Sequence, residues 1–286
     1  MTMRFRTASE LFENWKGRVL SGVRPTLYQC GPDGLGKIEI GPGLITLIGG
    51  KPGAGKTALT NQLTFDGVRK HSDLRTLICN VEVAPETLLD RQLARLSGVD
   101  AGRVRLREFE DGDRANLTWA FEQLEQIGDR IAFVEVGFDL RSIAKAADEH
   151  KANLVVLDYV QRIQPPGDQS DRRGSVDALM KYLREFAQGG MAVVAVSSVG
   201  RTRDAKGRSS YAGDGLGLAS FKESSELEFG ADNAFMLVPS KFDGQLTLKH
   251  LKARYSEPQD IELQFDARHQ QFNCQPQDLA ATWERS

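Results

Sequence analysis

Residues 50–57 combine glycines, a lysine and a threonine at a spacing suited to holding phosphate groups. They read Gly50-Lys51-Pro52-Gly53-Ala54-Gly55-Lys56-Thr57 and fit the pattern G-x-x-x-x-G-K-[ST]. In this pattern, backbone N–H groups of the turn and of the following helix cradle the β- and γ-phosphates, while the lysine adds a positive charge. The threonine hydroxyl ligates Mg²⁺. We therefore expect a nucleoside triphosphate and Mg²⁺ to bind here.

Two carboxylates follow apolar runs that read as buried strands. Asp158 ends the run Leu154-Val-Val-Leu-Asp158, and Glu82 follows the run 77–81. The carboxyl ends of parallel strands face the ligand crevice of an open sheet. This places Asp158 to hold Mg²⁺ or its water shell, and Glu82, expected one strand from the phosphate-loop strand, to polarise the attacking water. Taken alone, Glu82 also fits a solvated surface acid.

The elements that must position these residues alternate along the first two-thirds of the chain. Apolar strand-like runs at 44–48, 75–80, 131–135, 154–157 and 192–197 are separated by helix-like stretches at 56–70, 85–96, 113–126, 140–150 and 175–188. Such alternation predicts an α/β fold, with a mostly parallel sheet covered by helices on both faces. Closely spaced strands at 233–238, 245–251, 260–265 and 271–273 predict a C-terminal antiparallel extension.

The chain divides into three parts on this interpretation: an N-terminal arm, residues 1–35; one main domain, 36–275; and a tail, 276–286. In the arm, Thr7 and Glu10 form a capping-box pattern ahead of Leu11, Phe12 and Trp15. This predicts an amphipathic helix. It either packs on its own domain or docks on a neighbouring subunit.

Composition excludes several classes of protein. The chain has 286 residues, is 40% hydrophobic and carries a formal net charge of −2. It contains no apolar run long enough to span a bilayer and no N-terminal secretory pattern, so a cytoplasmic location with no membrane partner is expected. Its three cysteines lie far apart, which argues against a disulfide framework or a zinc site. A nucleic-acid site would have to be a local basic patch.

Several segments, in matching order over roughly residues 22–275, resemble the ATPase domain of DnaB-type replicative helicases. Residues 82–91 resemble that family's Glu-Met-Ser…Arg segment, and Leu157-Asp-Tyr-Val-Gln161 resembles its Asp-Tyr-Leu-Gln strand. Residues 195–201 are similar to the strand ending Ser-Gln-Leu-Ser-Arg, and 222–232 to the Arg-Glu-Ser-Gly…Asp-Ala-Asp segment. Lys252-Ala-Arg254, with the strand 261–266, resembles the family's Lys-x-Arg finger hairpin.

The resemblance implies a RecA-like fold, ATP as the nucleotide, Glu82 as catalytic base and a ring of six subunits. It also implies that Lys252 and Arg254 act on the ATP of a neighbouring subunit, although spacing alone would favour a solvated strand face. Ser198 stands where the family has a glutamine that senses the γ-phosphate. The family's helical N-terminal domain has no counterpart in this sequence, so we do not expect a complete replicative enzyme.

A glycine- and serine-rich segment between residues 201 and 222 is the candidate for contact with single-stranded DNA. It contains two acidic residues, and its stretch 206–217 carries one aromatic residue, Tyr211; such basic, flexible segments suit a phosphate backbone. A second loop, 164–174, leaves the Asp158 strand on the same side, and both also fit plain surface loops. The basic residues of the first segment, called here the basic loop, are Arg201, Arg203, Lys206, Arg208 and Lys222.

Two functions from different classes agree with these features. One is an ATP-driven motor, a helicase or translocase, on single-stranded DNA. The other is an ATP-dependent oligomeric switch or scaffold that recruits a protein partner without unwinding DNA. Ser198 and the missing N-terminal domain favour the second, and stimulation of ATP hydrolysis by DNA separates the two. A small-molecule kinase explains neither Glu82 nor the Lys252 and Arg254 hairpin.

Overall fold

The structure is a computed structural model that describes residues 6–166, 172–199, 202–203, 209–210, 221, 227 and 230–274. For residues 33, 172–175, 202–203 and 209–210 it describes the backbone only. The predicted basic-loop residues Arg201, Lys206, Arg208 and Lys222 lie outside the described residues, as does the tail. No described helix is long and apolar enough to cross a membrane.

A nine-stranded sheet forms the centre of the described chain. Its strand order is β11-β10-β9-β8-β1-β5-β4-β2-β3, and the six strands from β8 to β3 run parallel. Strands β9, β10 and β11 extend it in antiparallel fashion. The strands are β1 Ile45–Gly50, β2 Thr76–Asn80, β3 Ile131–Phe133, β4 Leu154–Asp158, β5 Ala192–Ser198, β8 Asn233–Pro239, β9 Gln245–Ala253, β10 Ile261–Asp266 and β11 Gln271–Cys274, with a separate ladder of β6 Thr202–Arg203 and β7 Ser209–Ser210.

Helices cover both faces of the sheet because successive strand residues point to opposite sides. Ile48, Ile78 and Val156 lie in one apolar cluster with residues of α2, α3 and α5. Leu47, Leu77 and Val155 lie in the other, with α6 and α7. The helices are α1 Ala8–Leu20, α2 Lys56–Lys70, α3 Pro85–Ser97, α4 Ala101–Leu106, α5 Arg114–Gly128, α6 Leu140–His150 and α7 Arg172–Gln188.

The predicted fold class is confirmed: the sheet is mostly parallel, flanked by helices and extended by antiparallel strands. Two details differ from the sequence prediction. The strand at 233–238 (β8) runs parallel to β1, so the antiparallel extension begins with β9. Strands β5 and β4 lie between β1 and β2, so Glu82 does not follow a strand next to the phosphate-loop strand. Sequence order could not show this, because β4 and β5 insert into the sheet later in the chain.

Helix α1 is the one described helix longer than two turns with no buried residue. The predicted capping box is present: the Thr7 hydroxyl accepts from the Glu10 N–H, and a Glu10 carboxylate oxygen accepts from the Thr7 N–H. Phe12 and Trp15 pack on each other with ring centroids 5.6 Å apart, yet about half of each side chain remains exposed. The helix therefore has an apolar face that the described part of the chain does not cover.

Candidate active site

The phosphate loop joins β1 to α2 through a turn that glycine makes possible. Gly53 and Gly55 have φ angles of 77° and 90°, in the left-handed region that side chains disfavour. A Cβ at Gly55 would also lie 2.8 Å from Cζ of Phe272. The turn therefore exposes the N-terminus of α2, a helix of 15 residues, to an anion.

Lys56 is held at the mouth of this turn by its own backbone. Its Nζ donates to the carbonyl oxygens of Gly50, at 2.9 Å, and Lys51, at 3.1 Å. Burial lowers the pKa of Lys56, and the nearby carboxylates of Asp158 and Glu82 oppose that shift. An approaching phosphate would add further negative charge beside this partly desolvated ammonium group.

Asp158 ends β4 in a buried position beside Thr57 and Asn80. Asn80 Nδ2 donates to Asp158 Oδ2 at 3.1 Å. Burial raises the pKa of Asp158, while the hydrogen bond from Thr57 and the charge of Lys56 act in the lowering direction. A buried carboxylate next to a hydroxyl oxygen is a fitting pair of ligands for a hard cation.

These two oxygens fit Mg²⁺ better than a metal that needs a full protein cage. Among the described residues, no three His, Cys, Asp or Glu side chains cluster as a metal site. Mg²⁺ commonly takes one or two protein oxygens and completes its shell with substrate phosphates and water. The side chains of Thr57 and Asp158 match that donor set.

Glu82 lies in the turn after β2, and Asn80 fixes that turn. Asn80 Oδ1 accepts from the backbone N–H groups of Glu82, at 3.0 Å, and Val83, at 2.8 Å. The same amide donates to Asp158, so one side chain connects the turn of Glu82 to the end of β4. Asn80 was not predicted to be a site residue, although a polar residue within an apolar strand run is a signal that could have identified it.

A cavity of about 410 Å³ joins these residues. Lys56, Thr57, Glu82, Asp158 and Ser198 all lie on it, so the structure brings together candidates from the ends of four strands that are far apart in sequence. The remaining lining residues are Pro52, Gly53, Gly55, Ala58, Arg91, Tyr159, Phe265 and Gln270.

Arg91 and Gln161 are site residues to which the sequence had assigned no role. Arg91, on α3, lies on the cavity, and burial lowers its pKa while the charge of Asp158 opposes this. Gln161 Nε2 donates to Ser197 Oγ at 2.7 Å, and its Oε1 accepts from the Ser198 N–H at 3.3 Å. Both residues lie within the segments that carried the family resemblance.

The C-terminal hairpin of β10 and β11 closes one side of the cavity. The Gln62 side-chain amide, on α2, pairs with the Phe272 backbone: its Nε2 donates to the carbonyl at 2.9 Å, and its Oε1 accepts from the N–H at 2.8 Å. Phe272 stacks on Phe265, a lining residue, with centroids 4.4 Å apart. The hairpin is therefore fixed to the helix that carries the phosphate loop.

The structure places Lys252 and Arg254 away from this cavity. Strand β9 pairs with β8 so that Ala253 faces Asn233, which is level with Thr46 at the start of β1. The phosphate loop follows the other end of β1, after Gly50. The first and last residues of β1, Ile45 and Gly50, are five residue steps apart, which corresponds to about 17 Å along the strand. Arg254 instead pairs with Asp232 of its own chain, its Nε 2.7 Å from Oδ1.

Sequence comparison finds relatives among replicative DNA helicases. A family model described as "DnaB-like helicase C terminal domain" matches residues 39–274. The chain is 24% identical over 236 residues to the replicative DNA helicase DnaB of Treponema pallidum (strain Nichols), a match that covers 80% of this chain and 51% of that protein. It is 26% identical over 188 residues to DnaB of Pasteurella multocida (strain Pm70), covering 62% and 40%. The chain thus spans about half the length of these curated relatives.

Two solved structures have the same fold as this chain. One that is described as an ATPase domain superposes with a TM-score of 0.82 at 18% identity, covering 96% of this chain and 100% of that one. A structure described as a DnaB-like replicative helicase and its interactions with primase gives a TM-score of 0.78 at 18% identity, covering 94% and 67%. These likenesses establish the RecA-like fold of such ATPase domains.

Proposed function

Because this chain belongs to the DnaB-like helicase C-terminal domain family, we propose that it is a Mg²⁺-dependent ATPase that acts as a ring-forming motor on single-stranded DNA. The observation that carries the proposal is the meeting of Lys56, Thr57, Asp158 and Glu82 on one cavity. A phosphate-binding loop, an oxygen pair for Mg²⁺ and a carboxylate base are the parts that ATP hydrolysis requires.

Each residue has a defined part in the reaction. The N–H groups at the start of α2 and the Lys56 ammonium bind the β- and γ-phosphates. Thr57 and Asp158 would hold Mg²⁺, which would neutralise charge on those phosphates. Glu82 accepts a proton as a water oxygen bonds to the γ-phosphorus, and the bond from that phosphorus to the bridging oxygen breaks to leave ADP and phosphate.

Arg254 and Lys252 are assigned to the ATP of a neighbouring subunit. Neither is among the residues that line the described cavity, and the strand register offsets Arg254 by about 17 Å, along the strand direction, from the end of β1 that carries its own phosphate loop. Guanidinium and ammonium groups delivered across a subunit boundary stabilise the charge of the transferring phosphoryl group. The trans role and a closed ring, most simply of six subunits, support each other.

Helix α1 is assigned to the subunit boundary as well. Its apolar face is exposed among the described residues, and its capping box joins Thr7 to Glu10 within the first turn of the helix itself. We assign α1 and the chain up to residue 27 to an arm that docks on the next subunit. Tyr28, Cys30 and Leu35 are buried in the core of the main domain, so the ATPase domain begins before the predicted boundary at residue 36.

Site-directed variants test the hydrolysis chemistry. Lys56→Ala removes the phosphate charge and should abolish turnover, whereas Glu82→Gln should still bind ATP and lose turnover by about 10²-fold or more. ATP binding by calorimetry and phosphate release by a coupled assay separate the two outcomes. Wild-type turnover in Lys56→Ala would refute the phosphate-loop assignment.

Single-stranded DNA provides the test of the motor. We expect an oligothymidylate to stimulate ATP hydrolysis. Neutralising Arg203, Lys206 and Arg208 together should abolish the stimulation and make the logarithmic salt slope of DNA binding shallower by roughly 0.7 per lost contact. Basal hydrolysis is the internal control, because the residues that line the described cavity come from other segments of the chain.

The switch or scaffold function remains the second candidate because of Ser198. This residue lines the cavity with a short hydroxyl where the family has a glutamine, and its backbone is already fixed by Gln161. ATP-driven assembly, seen as a mass increase with a non-hydrolysable analogue but without stimulation by DNA, would favour that function.

A further inference from the structure

A buried carboxylate, Asp232, holds the guanidinium group of Arg254. Asp232 lies just before β8 and is 2% exposed, while Arg254 lies just after β9 and is 44% exposed. The Arg254 Nε lies 2.7 Å from Asp232 Oδ1, and the Arg254 backbone N–H donates to the Asp232 carbonyl at 3.0 Å. Two contacts, one from the side chain and one from the backbone, therefore fix this arginine to one residue.

The other oxygen of Asp232 is held by two further elements. Arg184, on α7, donates from Nη1 to Oδ2 at 3.0 Å, and the N–H of Ile45, at the start of β1, donates to the same oxygen at 2.8 Å. Arg184 also donates from Nη2 to the Gly230 carbonyl. These donors set the orientation of the carboxylate, and Oδ1 consequently points toward Arg254.

Among the described residues, two cations contact one carboxylate, so these three side chains together carry excess positive charge at an exposed edge. Arg184 alone would neutralise Asp232, so the carboxylate does not cancel the charge of Arg254 completely. The contact with Asp232 engages Nε, the inner nitrogen of the guanidinium group. On this geometry, the terminal nitrogens of the half-exposed side chain would be the atoms that meet a partner such as a phosphate oxygen.

We propose that Asp232, oriented by Arg184, is a positioning residue that holds Arg254 in the geometry for acting on the neighbouring subunit's ATP. The proposal rests on the proposed trans role of Arg254. Arginine has many rotamers, and fixing one before assembly removes an ordering cost that the active interface would otherwise carry. Asp232 is not among the residues that line the described cavity, and on this proposal it affects the reaction through Arg254.

Mixed rings can assign the effect of Asp232 to one side of the interface. A donor subunit carries Glu82→Gln, so its finger is intact and its own site is inactive. An acceptor subunit carries Arg254→Ala, so its site is intact and its finger is missing. Mixing donor and acceptor should restore ATP hydrolysis, measured as phosphate release per mixed ring.

Asp232→Asn is then added to either subunit. In the donor it should lower the restored kcat about tenfold or more, the scale of a misplaced catalytic group, with KM for ATP little changed. In the acceptor, which lacks Arg254, it should leave the restored rate within about twofold. Equal losses on both sides would show a merely structural residue, and a rate increase from the donor would show that Asp232 restrains Arg254; either result overturns the proposal.

Matched variants separate this result from misfolding and from failure of the trans role. Asp66→Asn in the donor breaks another shielded ion pair, with Arg95 at 2.8 Å, and should leave the restored rate unchanged. If Asp232→Asn does not fold, Arg184→Lys in the donor keeps the charge but loses the planar guanidinium, and should lower kcat in the same direction. An unmodified donor and acceptor mixture that assembles without activity would refute the trans role itself.

Discussion

At the scale of single residues, the site depends on a carboxylate kept in an unfavourable environment. Asp158 is 6% exposed, and burial raises its pKa, so the charged form needed for Mg²⁺ is disfavoured when no cation is present. Thr57, Lys56 and Asn80 compensate in part. A group whose folded-state pKa is raised stabilises the fold at low pH, and that contribution is lost as pH rises through the folded-state pKa.

Replacing Asp158 should therefore separate stability from activity. We expect Asp158→Asn to raise the melting temperature of the nucleotide-free protein at about pH 7.5, because a buried charge is removed while a side-chain acceptor remains. The gain should be smaller at about pH 4, because the raised pKa keeps the wild-type carboxyl group protonated there. Mg²⁺-dependent hydrolysis should fall by about 10²-fold or more.

Calorimetric melting at both pH values, with phosphate release as the activity readout, checks this prediction. Asp139→Asn is the control, since Asp139 caps α6 at the surface and its pKa is lowered by hydrogen bonds from Ser142. That variant should lose stability near neutral pH. A lower melting temperature for Asp158→Asn would show that the carboxylate makes a net favourable contribution to folding stability.

At the scale of elements, the β10 and β11 hairpin is joined to the phosphate-loop helix by one amide side chain. Gln62 is buried on α2 and satisfies both backbone groups of Phe272 in β11. Since Phe272 also lies against Gly55, the hairpin packs on the phosphate loop itself. The antiparallel extension thus contributes to the shape of the nucleotide cavity through Phe265 and Gln270.

Removing the Gln62 amide should weaken this attachment. We expect Gln62→Ala to cost about 2 kcal/mol of unfolding free energy, because a buried N–H and a buried carbonyl lose their partners. The KM for ATP should rise as the hairpin loosens. Chemical denaturation and steady-state kinetics measure the two effects.

Gln126→Ala provides the matched control for the hairpin variant. Gln126 is an exposed glutamine on α5, so its removal should change stability by less than about 0.5 kcal/mol. If Gln62→Ala left both stability and KM unchanged, the hairpin would be held by its apolar packing alone.

At the scale of the whole molecule, two features of the chain point to contact with a second subunit: the exposed apolar face of α1 and the position of Arg254. The face of α1 that carries Phe12 and Trp15 has no cover within the described chain, and Arg254 lies at the sheet end opposite its own phosphate loop. Both features find a use in an assembly in which one subunit's edge meets the next subunit's cavity.

Assembly should therefore respond to α1 more strongly than folding does. We expect the double variant Phe12→Ala, Trp15→Ala to weaken oligomers formed with a non-hydrolysable ATP analogue at least tenfold, because buried aromatic anchors dominate interface energies. The subunit's own melting temperature should hardly change, since both side chains are half exposed. Mass photometry and thermal melting measure the two quantities.

The control for α1 is Glu13→Ala, on the polar side of the helix, which should assemble normally. A loss of folding stability in Phe12→Ala, Trp15→Ala without any change in assembly would instead place α1 on its own domain.

The sequence by itself determined the fold class and the principal chemical groups. Glycine spacing at 50–57 and apolar runs ending in polar residues are local features, and local backbone preferences and strand periodicity translate them directly into a loop, strands and helices. The segments around Glu82, Asp158 and Arg254 were likewise identifiable because short motifs keep their residue types together.

Only the tertiary structure decided which of these groups meet. The insertion of β4 and β5 between β1 and β2 fixes the path from Glu82 to the phosphate loop, and no local pattern encodes strand order. Asn80, Gln62 and Asp232 gained their roles from partners up to 210 residues away along the chain. A buried polar side chain requires a hydrogen-bonding partner. The local sequence does not show where that partner lies, because long-range packing determines which residues come into contact.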